Sequence, residues 1–176
     1  MTKDGKMELM APAGNFESLQ AALDNGADSV YFGVEQLNMR ARASINFTMD
    51  DLPEIVKRCE EKGVRSYLTL NTIIYDHDLS LIKNLLDRAK EAKITAVIAM
   101  DQSVIAYARQ IGIEIHISTQ INVTNIETVK FYAMFADTMV LSRELSLKQV
   151  NKICEQIIKE DVRGPSGNLV EIEIFG

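Results

Sequence analysis

The sequence has little cysteine, no long apolar run and no apolar stretch at its N-terminus. Its 176 residues include only two cysteines, Cys59 and Cys154, which cannot complete a four-thiolate metal site within one chain. No apolar run approaches the roughly 18 residues of a membrane-spanning helix, and the first six residues do not resemble a signal peptide. We therefore expect no membrane association and a cytoplasmic location. In that compartment a disulfide between the two cysteines is not expected.

The sequence also lacks an excess of positive charge. It has 19 Lys and Arg against 25 Asp and Glu, a formal net charge of −6. Since nonspecific affinity for nucleic acid comes from clustered Lys and Arg, this balance weighs against a stand-alone nucleic-acid binder. The same net charge is compatible with an enzyme that binds RNA through one local basic patch. Hydrophobic residues at 47% and charged residues at 25% are typical of a globular domain.

Short β-type apolar runs recur along the chain and alternate with helical patterns. The runs cover residues 7–11, 29–33, 65–71, 96–101, 114–120, 138–142 and 169–175. Such alternation predicts βαβ units and a parallel sheet. A doubly wound open sheet is the main alternative. In a doubly wound sheet the polar residues would cluster at a single switch point. Here they follow nearly every strand, so we favour a (β/α) barrel.

The helical patterns carry recognisable start and stop signals. The clearest apolar stripe is Leu79, Ile82, Leu85, Leu86 and Ala89, with Asp78 before it as N-cap. Further helices are predicted over 16–25, 51–62 and 103–111, and capping boxes open two more at Thr124–Glu127 and Ser146–Gln149. Gly26, Gly63 and Gly112 follow helices, where a left-handed C-cap favours glycine.

The predicted barrel is incomplete, because seven strand–helix units are one fewer than a closed ring of eight. We see no linker, internal repeat or low-complexity segment, so residues 1–176 form a single domain. A closed barrel has no edge strands, whereas here the first and seventh strands should each lack one neighbour. Unpaired edges favour association, so the sequence predicts a homodimer through this opening.

Polar residues at the carboxyl ends of the strands are the candidates for substrate binding, since that rim carries the active site of a barrel. They are Gly14, Asn15, Arg40, Arg42, Asn71, Gln120, Ser142, Arg143 and Glu144. Gly14 and Asn15 either offer backbone N–H groups to an anion or form a tight turn with an Asn cap. Arg40 and Arg42 either bind a phosphate or carboxylate, or they lie on the solvated surface or form a salt bridge within their loop. Arg143 and Glu144 either serve the site or form a structural ion pair.

A second group of polar residues alternates along strands five and seven. His116 shares one strand face with Glu114, Ser118 and Gln120, and Glu171 shares one with Glu173. These side chains would point into the barrel, where desolvation raises the pKa of a carboxyl group and suits acid–base chemistry. His116, Glu171, Glu173 and Asp101 are therefore the catalytic candidates. The alternatives are a satisfied core network or exposure at the N-terminal rim of the barrel and, for Asp101, a helix cap.

Several segments in order resemble peptidase family U32, the collagenase-like proteases. They are 8–15 (ELMAPAGN), 26–33 (GADSVYFG), 39–43 (MRARA) with 46–47 (NF), 118–120 (STQ) with Asn122, 141–146 (LSRELS) and 171–175 (EIEIF). Glu173, Ile174 and Phe175 match the start of the family's signature, which goes on to a His-Gly step and a cysteine. The resemblance implies the N-terminal barrel portion of a longer enzyme, with the cysteines of the signature expected beyond Gly176.

What the resemblance implies about function stays open between three possibilities. Some members hydroxylate a base of transfer or ribosomal RNA, or a ubiquinone precursor, with an iron–sulfur cluster. That cluster would be held outside this chain, which itself carries no cofactor. Residues 142–146 resemble the transfer-RNA branch, so Arg40, Arg42 and Arg143 would contact RNA. The alternatives are a protease that uses Glu171, Glu173 and His116 with or without a metal, and a scaffold that docks a partner. No His-Glu-x-x-His spacing or thiol–His pair supports the protease.

Overall fold

The computed structural model describes residues 7–34 and 47–175, and within them seven strands form one parallel sheet. The strands are β1 (Met10–Pro12), β2 (Ser29–Phe32), β3 (Arg65–Leu70), β4 (Ala96–Ala99), β5 (Glu114–Ile117), β6 (Thr138–Val140) and β7 (Glu171–Glu173). Each strand pairs with the next in the chain, so the order is sequential throughout. In a doubly wound sheet the order of the strands would reverse at a switch point. The predicted incomplete (β/α) barrel of seven units is confirmed.

Six α-helices follow the strands and cover the outside of the sheet. They are α1 (Phe16–Asp24), α2 (Leu52–Lys62), α3 (Leu79–Glu91), α4 (Gln102–Ile111), α5 (Ile126–Tyr132) and α6 (Leu147–Lys159). Gly63 and Gly112 end α2 and α4 in the left-handed region, at φ of 67° and 73°, as predicted for glycine caps. The predicted capping box at Ser146 and Gln149 also opens α6.

Two of the predicted caps differ in the structure. Asp78 stands at the N-cap position of α3, but its carboxylate accepts the N–H of Tyr75 in a preceding 3₁₀ turn and makes no cap bond. Helix α5 is capped by Asn125, whose Oδ1 accepts the N–H of Thr128 at 3.0 Å. The predicted box at Thr124 was wrong by one residue, because the amide side chain of Asn125 competes for the same role.

The strands are shorter than their apolar runs. Strand β5 ends at Ile117, and the chain enters a 3₁₀ turn over Thr119–Ile121. Gln120 therefore lies in this turn and does not continue the strand face of His116, as the alternation predicted. The Ser118 side chain accepts the N–H of Gln120 and caps the turn, which is the local reason why the strand stops.

The sheet separates two environments. On its outer face alternate strand residues such as Val30, Leu68 and Ile117 pack against the helices in the main core. On its inner face Tyr67, Ala96 and Ile98 form a second, smaller cluster. Within the described part of the chain no helix is long and apolar enough to cross a membrane.

Candidate active site at the carboxyl rim

The first feature of the rim is a pair of amide side chains that follow β3 and β5. Nδ2 of Asn71 donates to Oε1 of Gln120 at 3.1 Å, and the hydroxyl of Ser118 donates to the same oxygen. Both residues follow the carboxyl ends of parallel strands, so the fold brings them to one edge although 49 positions separate them. The prediction that Asn71 and Gln120 share a rim is confirmed. The two hydrogen bonds hold the amide oxygen of Gln120 in place.

Asp101, a predicted catalytic residue, accepts hydrogen bonds at both of its carboxylate oxygens. Oδ1 accepts the N–H of Ser103 at 2.9 Å and its hydroxyl at 2.6 Å, which caps α4. Oδ2 accepts the N–H of Ile74 at 3.3 Å, in the loop that carries Asn71. Asp101 is thus a helix cap that also ties this loop to the start of α4.

Gly14 and Asn15 form the turn that opens α1. The hydroxyl of Ser18 accepts the N–H of Gly14 at 2.9 Å and that of Asn15 at 3.1 Å, while Oδ1 of Asn15 accepts the N–H of Ser18 at 2.8 Å. Of the two readings of this segment, the Asn cap is the one found. The backbone N–H groups of Gly14 and Asn15, which were predicted to meet an anion, are therefore already bonded.

Residues 142–144 and Phe175 form a further part of the rim. The hydroxyl of Ser142 donates to the carboxylate of Glu144, and this hydrogen bond holds the pKa of Glu144 below its usual range. The guanidinium of Arg143 lies 4.2 Å from the ring centroid of Phe175. Arg143 therefore makes a cation–π contact at the end of β7, and not the ion pair with Glu144 that neighbouring charges suggested. Arg40 and Arg42 lie outside the described residues.

The catalytic candidates inside the barrel form an ion pair below this rim. Nδ1 of His116 lies 2.8 Å from Oε1 of Glu173, and Nε2 lies 3.4 Å from Oε1 of Glu114. The Nδ1–H direction is poorly aligned with Glu173, so this is a charge contact and not a well-formed hydrogen bond. Burial lowers the pKa of His116, but the two carboxylates outweigh it and raise the value to about 9. The imidazole is thus a cation at neutral pH, with no basic nitrogen to offer.

Tyr67 and Glu8 extend this network across the barrel. The Tyr67 ring lies 4.6 Å from that of His116, and its hydroxyl donates to Oε1 of Glu8 at 2.9 Å. Arg65 forms an ion pair with the same carboxylate. Burial, followed by the Glu8 charge, raises the pKa of Tyr67 far above its usual value. Sequence reasoning missed both the buried Tyr67 and the exposed Arg65 as members of this network. Their two-residue spacing on β3 was the signal that could have found them.

Glu171 and Glu173 both face the barrel interior, as predicted. Glu171 is in register with Thr138 on β6, and Thr138 is in register with His116 on β5, so the three lie on one face of the sheet. Ile172, between Glu171 and Glu173, packs on the helix side. Of these two β7 carboxylates, Glu173 is the one within ion-pair distance of the His116 imidazole.

The two cysteines do not fit an iron–sulfur cluster. Cys59 is buried on α2 and Cys154 lies on α6. Burial raises the pKa of the Cys59 thiol to about 11 and also raises that of Cys154, whereas a cluster binds thiolates. Over residues 7–34 and 47–175 no three His, Cys, Asp or Glu side chains converge in a way that could hold a metal ion.

Comparison with known proteins decides the family. The sequence model of peptidase family U32 matches residues 14–176. The chain belongs to peptidase family U32. It is 52% identical over 168 residues to a protein of Porphyromonas gingivalis named collagenase, which covers 96% of this chain and 41% of the relative. It is 31% identical over 155 residues to tRNA hydroxylation protein P1 of Bacillus subtilis, which covers 86% of this chain and 36% of the relative.

The fold of a U32 peptidase of known structure matches as well. Its TM-score is 0.70 at 16% identity, over 99% of this chain and 70% of that one, a likeness that concerns the fold alone. This chain spans about two fifths of the length of the curated U32 relatives named above. The U32 relatives thus carry two kinds of name, one for a protease and one for RNA hydroxylation.

Proposed function

We propose that this U32 domain forms the substrate-facing wall of an enzyme that hydroxylates a base of RNA. The observation that carries the proposal is the Asn71–Gln120–Ser118 group, a fixed neutral amide pair at the carboxyl rim. Amide side chains recognise the donor and acceptor pattern of a base edge. The Arg143–Phe175 pair on the same rim adds a flat cationic and aromatic surface, which suits a stacked base.

The hydrogen-bond partners of the Ser118 and Ser142 hydroxyl groups favour recognition of an RNA base over peptide hydrolysis. A serine nucleophile needs an adjacent general base. Ser118 donates to Gln120 and Ser142 donates to Glu144, and His116 is held between two carboxylates. The acceptor of Ser118 is an amide and not a base, and the lowered pKa of Glu144 makes that carboxylate a weak base for Ser142.

The oxidative chemistry of such an enzyme would have to come from outside these residues. Neither cysteine fits a cluster, so we assign no reaction step to this chain. Its own contribution would be to bind the RNA base, to orient it through the Gln120 amide and to hold that amide in place through Asn71.

A protease remains the second candidate, favoured by the 52% identity to a relative named collagenase. In that case Glu171 and Glu173 would serve as the acid–base pair at the inner face of β7. The His116 imidazole lies 2.8 Å from Glu173 in that arrangement.

The test is a nucleoside analysis of transfer and ribosomal RNA from host cells that lack the gene. We expect one hydroxylated nucleoside to disappear and to return with the wild-type gene. Gln120→Ala should lower its level by about five- to 150-fold, since loss of a base-edge contact costs roughly 1–3 kcal/mol. Asn71→Ala should lower it less, because Asn71 acts through Gln120.

The matched control is Asn151→Ala, which removes an exposed amide bonded to Glu155 on α6 and should restore the nucleoside fully. Immunoblots establish equal protein levels. Unchanged RNA together with gelatin cleavage by the purified protein, lost in Glu171→Gln, would replace the proposal by the protease.

A further inference from the structure

The loop after β3 exposes two large apolar side chains at the carboxyl rim. Ile73 and Tyr75 are 64% and 61% exposed, whereas Ile74 between them packs against the main core. Strand β3 pairs with β2 on one side and with β4 on the other, so this exposure does not depend on an open edge of the sheet. Surface loops that hold exposed apolar side chains on a fixed scaffold commonly bind a ligand.

Hydrogen bonds and packing anchor this loop. Oδ2 of Asp101 accepts the N–H of Ile74 at 3.3 Å. Oδ2 of Asp78 accepts the N–H of Tyr75 at 3.0 Å, and the carbonyl of Tyr75 accepts the N–H of Asp78 at 2.8 Å. The packed side chain of Ile74 adds a third anchor. Because the loop is already held in one conformation, a ligand that contacts Tyr75 costs little further ordering.

The ring of Tyr75 stacks on that of His77. The two ring centroids lie 5.7 Å apart, and the ring planes differ by 6°. The side chain of His77 is 80% exposed, so both rings keep open surface beside their contact. A parallel pair of flat, exposed rings is a surface on which a nucleic-acid base can stack, since every base has a π-face.

We propose that Tyr75 and His77 form a stacking platform for an unpaired RNA base, a neighbour of the base that Gln120 would recognise. The inference rests on the proposed function, because Asn71, which precedes this loop, bonds to Gln120. Tyr75 lies four residues beyond Asn71, a span of at most about 14 Å along the chain. One strand of RNA can therefore contact the Gln120 amide and the platform together.

The charges beside the platform favour contact with a base over contact with a phosphate. Asp76 and Asp78 lie on either side of His77 in the chain, and Oδ1 of Asp78 is 3.6 Å from Nε2 of His77. Two carboxylates repel the RNA backbone, whereas they leave stacking of a neutral base unaffected. Binding should therefore change little with salt concentration, in contrast to binding driven by counterion release.

The experiment records ¹H–¹⁵N NMR spectra of the purified protein during titration with hexa-adenylate RNA, because NMR detects weak binding. We expect the amide signals of residues 72–78 to shift, to nearly the same extent at about 50 mM and about 200 mM salt. Tyr75→Ala should weaken binding at least about fivefold, the smallest loss typical of one stacked base. Tyr75→Phe keeps the ring and should bind like the wild type.

The matched control is Phe131→Ala, which removes an aromatic ring that is 54% exposed on α5. This variant should give the wild-type titration, and the spectra themselves report whether each variant folds.

Nucleoside analysis of host-cell RNA separates this inference from the proposed function. If hexa-adenylate binding is lost in Tyr75→Ala but no hydroxylated nucleoside depends on the gene, the platform stands and the hydroxylation falls. If Gln120→Ala lowers the nucleoside while Tyr75→Ala changes neither the nucleoside nor the binding of RNA, the platform alone falls.

Three outcomes of the titration would overturn the proposal. One is the absence of shifts at residues 72–78, and another is binding that Tyr75→Ala leaves unchanged. The third is binding at residues 72–78 of a collagen-like peptide of Gly-Pro-Pro repeats, and not of RNA, which would assign the platform to the protease.

Discussion

His116 gives a clear pH dependence that rests on a single residue. Its pKa rises from an ordinary 6.5 to about 9 in the folded protein, because Glu114 and Glu173 outweigh burial. A raised pKa contributes stability that is complete below about pH 6.5 and is lost as the pH rises through 9. We expect His116→Gln to destabilise the fold by on the order of 3 kcal/mol at pH 6. Denaturation in urea measures this difference, which should shrink steadily up to pH 9.5.

The control for this prediction is His77→Gln, which removes an imidazole that is 80% exposed. Its unfolding free energy should follow that of the wild type at each pH. A constant difference between the wild type and His116→Gln across the range would show that the imidazole is not charged in the folded state.

Tyr67 tests the other half of the interior network. Tyr67→Phe removes the donor to Glu8 and leaves that carboxylate with Arg65 alone. Hydrogen bonds to charged groups contribute about 1.5–3 kcal/mol, and we expect a loss of that size in urea denaturation. Tyr107→Phe removes a comparable 2.9 Å hydrogen bond to Asp87 at the surface and should cost less than about 0.5 kcal/mol. Equal losses of unfolding free energy in the two variants would mean that burial does not strengthen the Tyr67–Glu8 hydrogen bond.

At the scale of elements, Asp101 joins a helix start to a neighbouring loop. Asp101→Ala should cost about 1 kcal/mol through the lost α4 cap. It should also speed amide hydrogen exchange at Ile74, whose N–H the carboxylate accepts. Asn125→Ala removes a similar cap from α5, with a similar cost but no change at Ile74. If the Ile74 amide exchanges at the wild-type rate in Asp101→Ala, the loop is held by other contacts.

At the scale of the whole molecule, the net charge of −6 predicts weak binding of this chain to RNA. Counterion release from clustered cations supplies most nonspecific affinity, and this chain has no such surplus. Filter binding to transfer RNA at low salt should give a dissociation constant weaker than about 10⁻⁴ M. Micromolar binding with a steep salt dependence would reveal a basic face. Homodimer formation also stays a prediction at this scale.

The repeating β–α order and the polar strand ends were readable from the sequence, because period-2 and 3.6-residue patterns depend only on neighbouring residues. The same patterns placed the glycine caps at Gly63 and Gly112. They also set His116, Glu171 and Glu173 on inner strand faces. The order of motifs from residue 8 to residue 175 carried the resemblance to family U32.

Only the tertiary structure decided which of these side chains meet. Asn71 reaches Gln120, and Tyr67 reaches Glu8, across 49 and 59 positions, distances set by strand register, which local patterns do not encode. The roles of Asp101 and Arg143 likewise depended on their neighbours in space, Ile74 and Phe175. The physical reason is that periodicity fixes the face on which a side chain lies, whereas its partner, and hence its charge state, depends on the packing of strands that are distant in the chain.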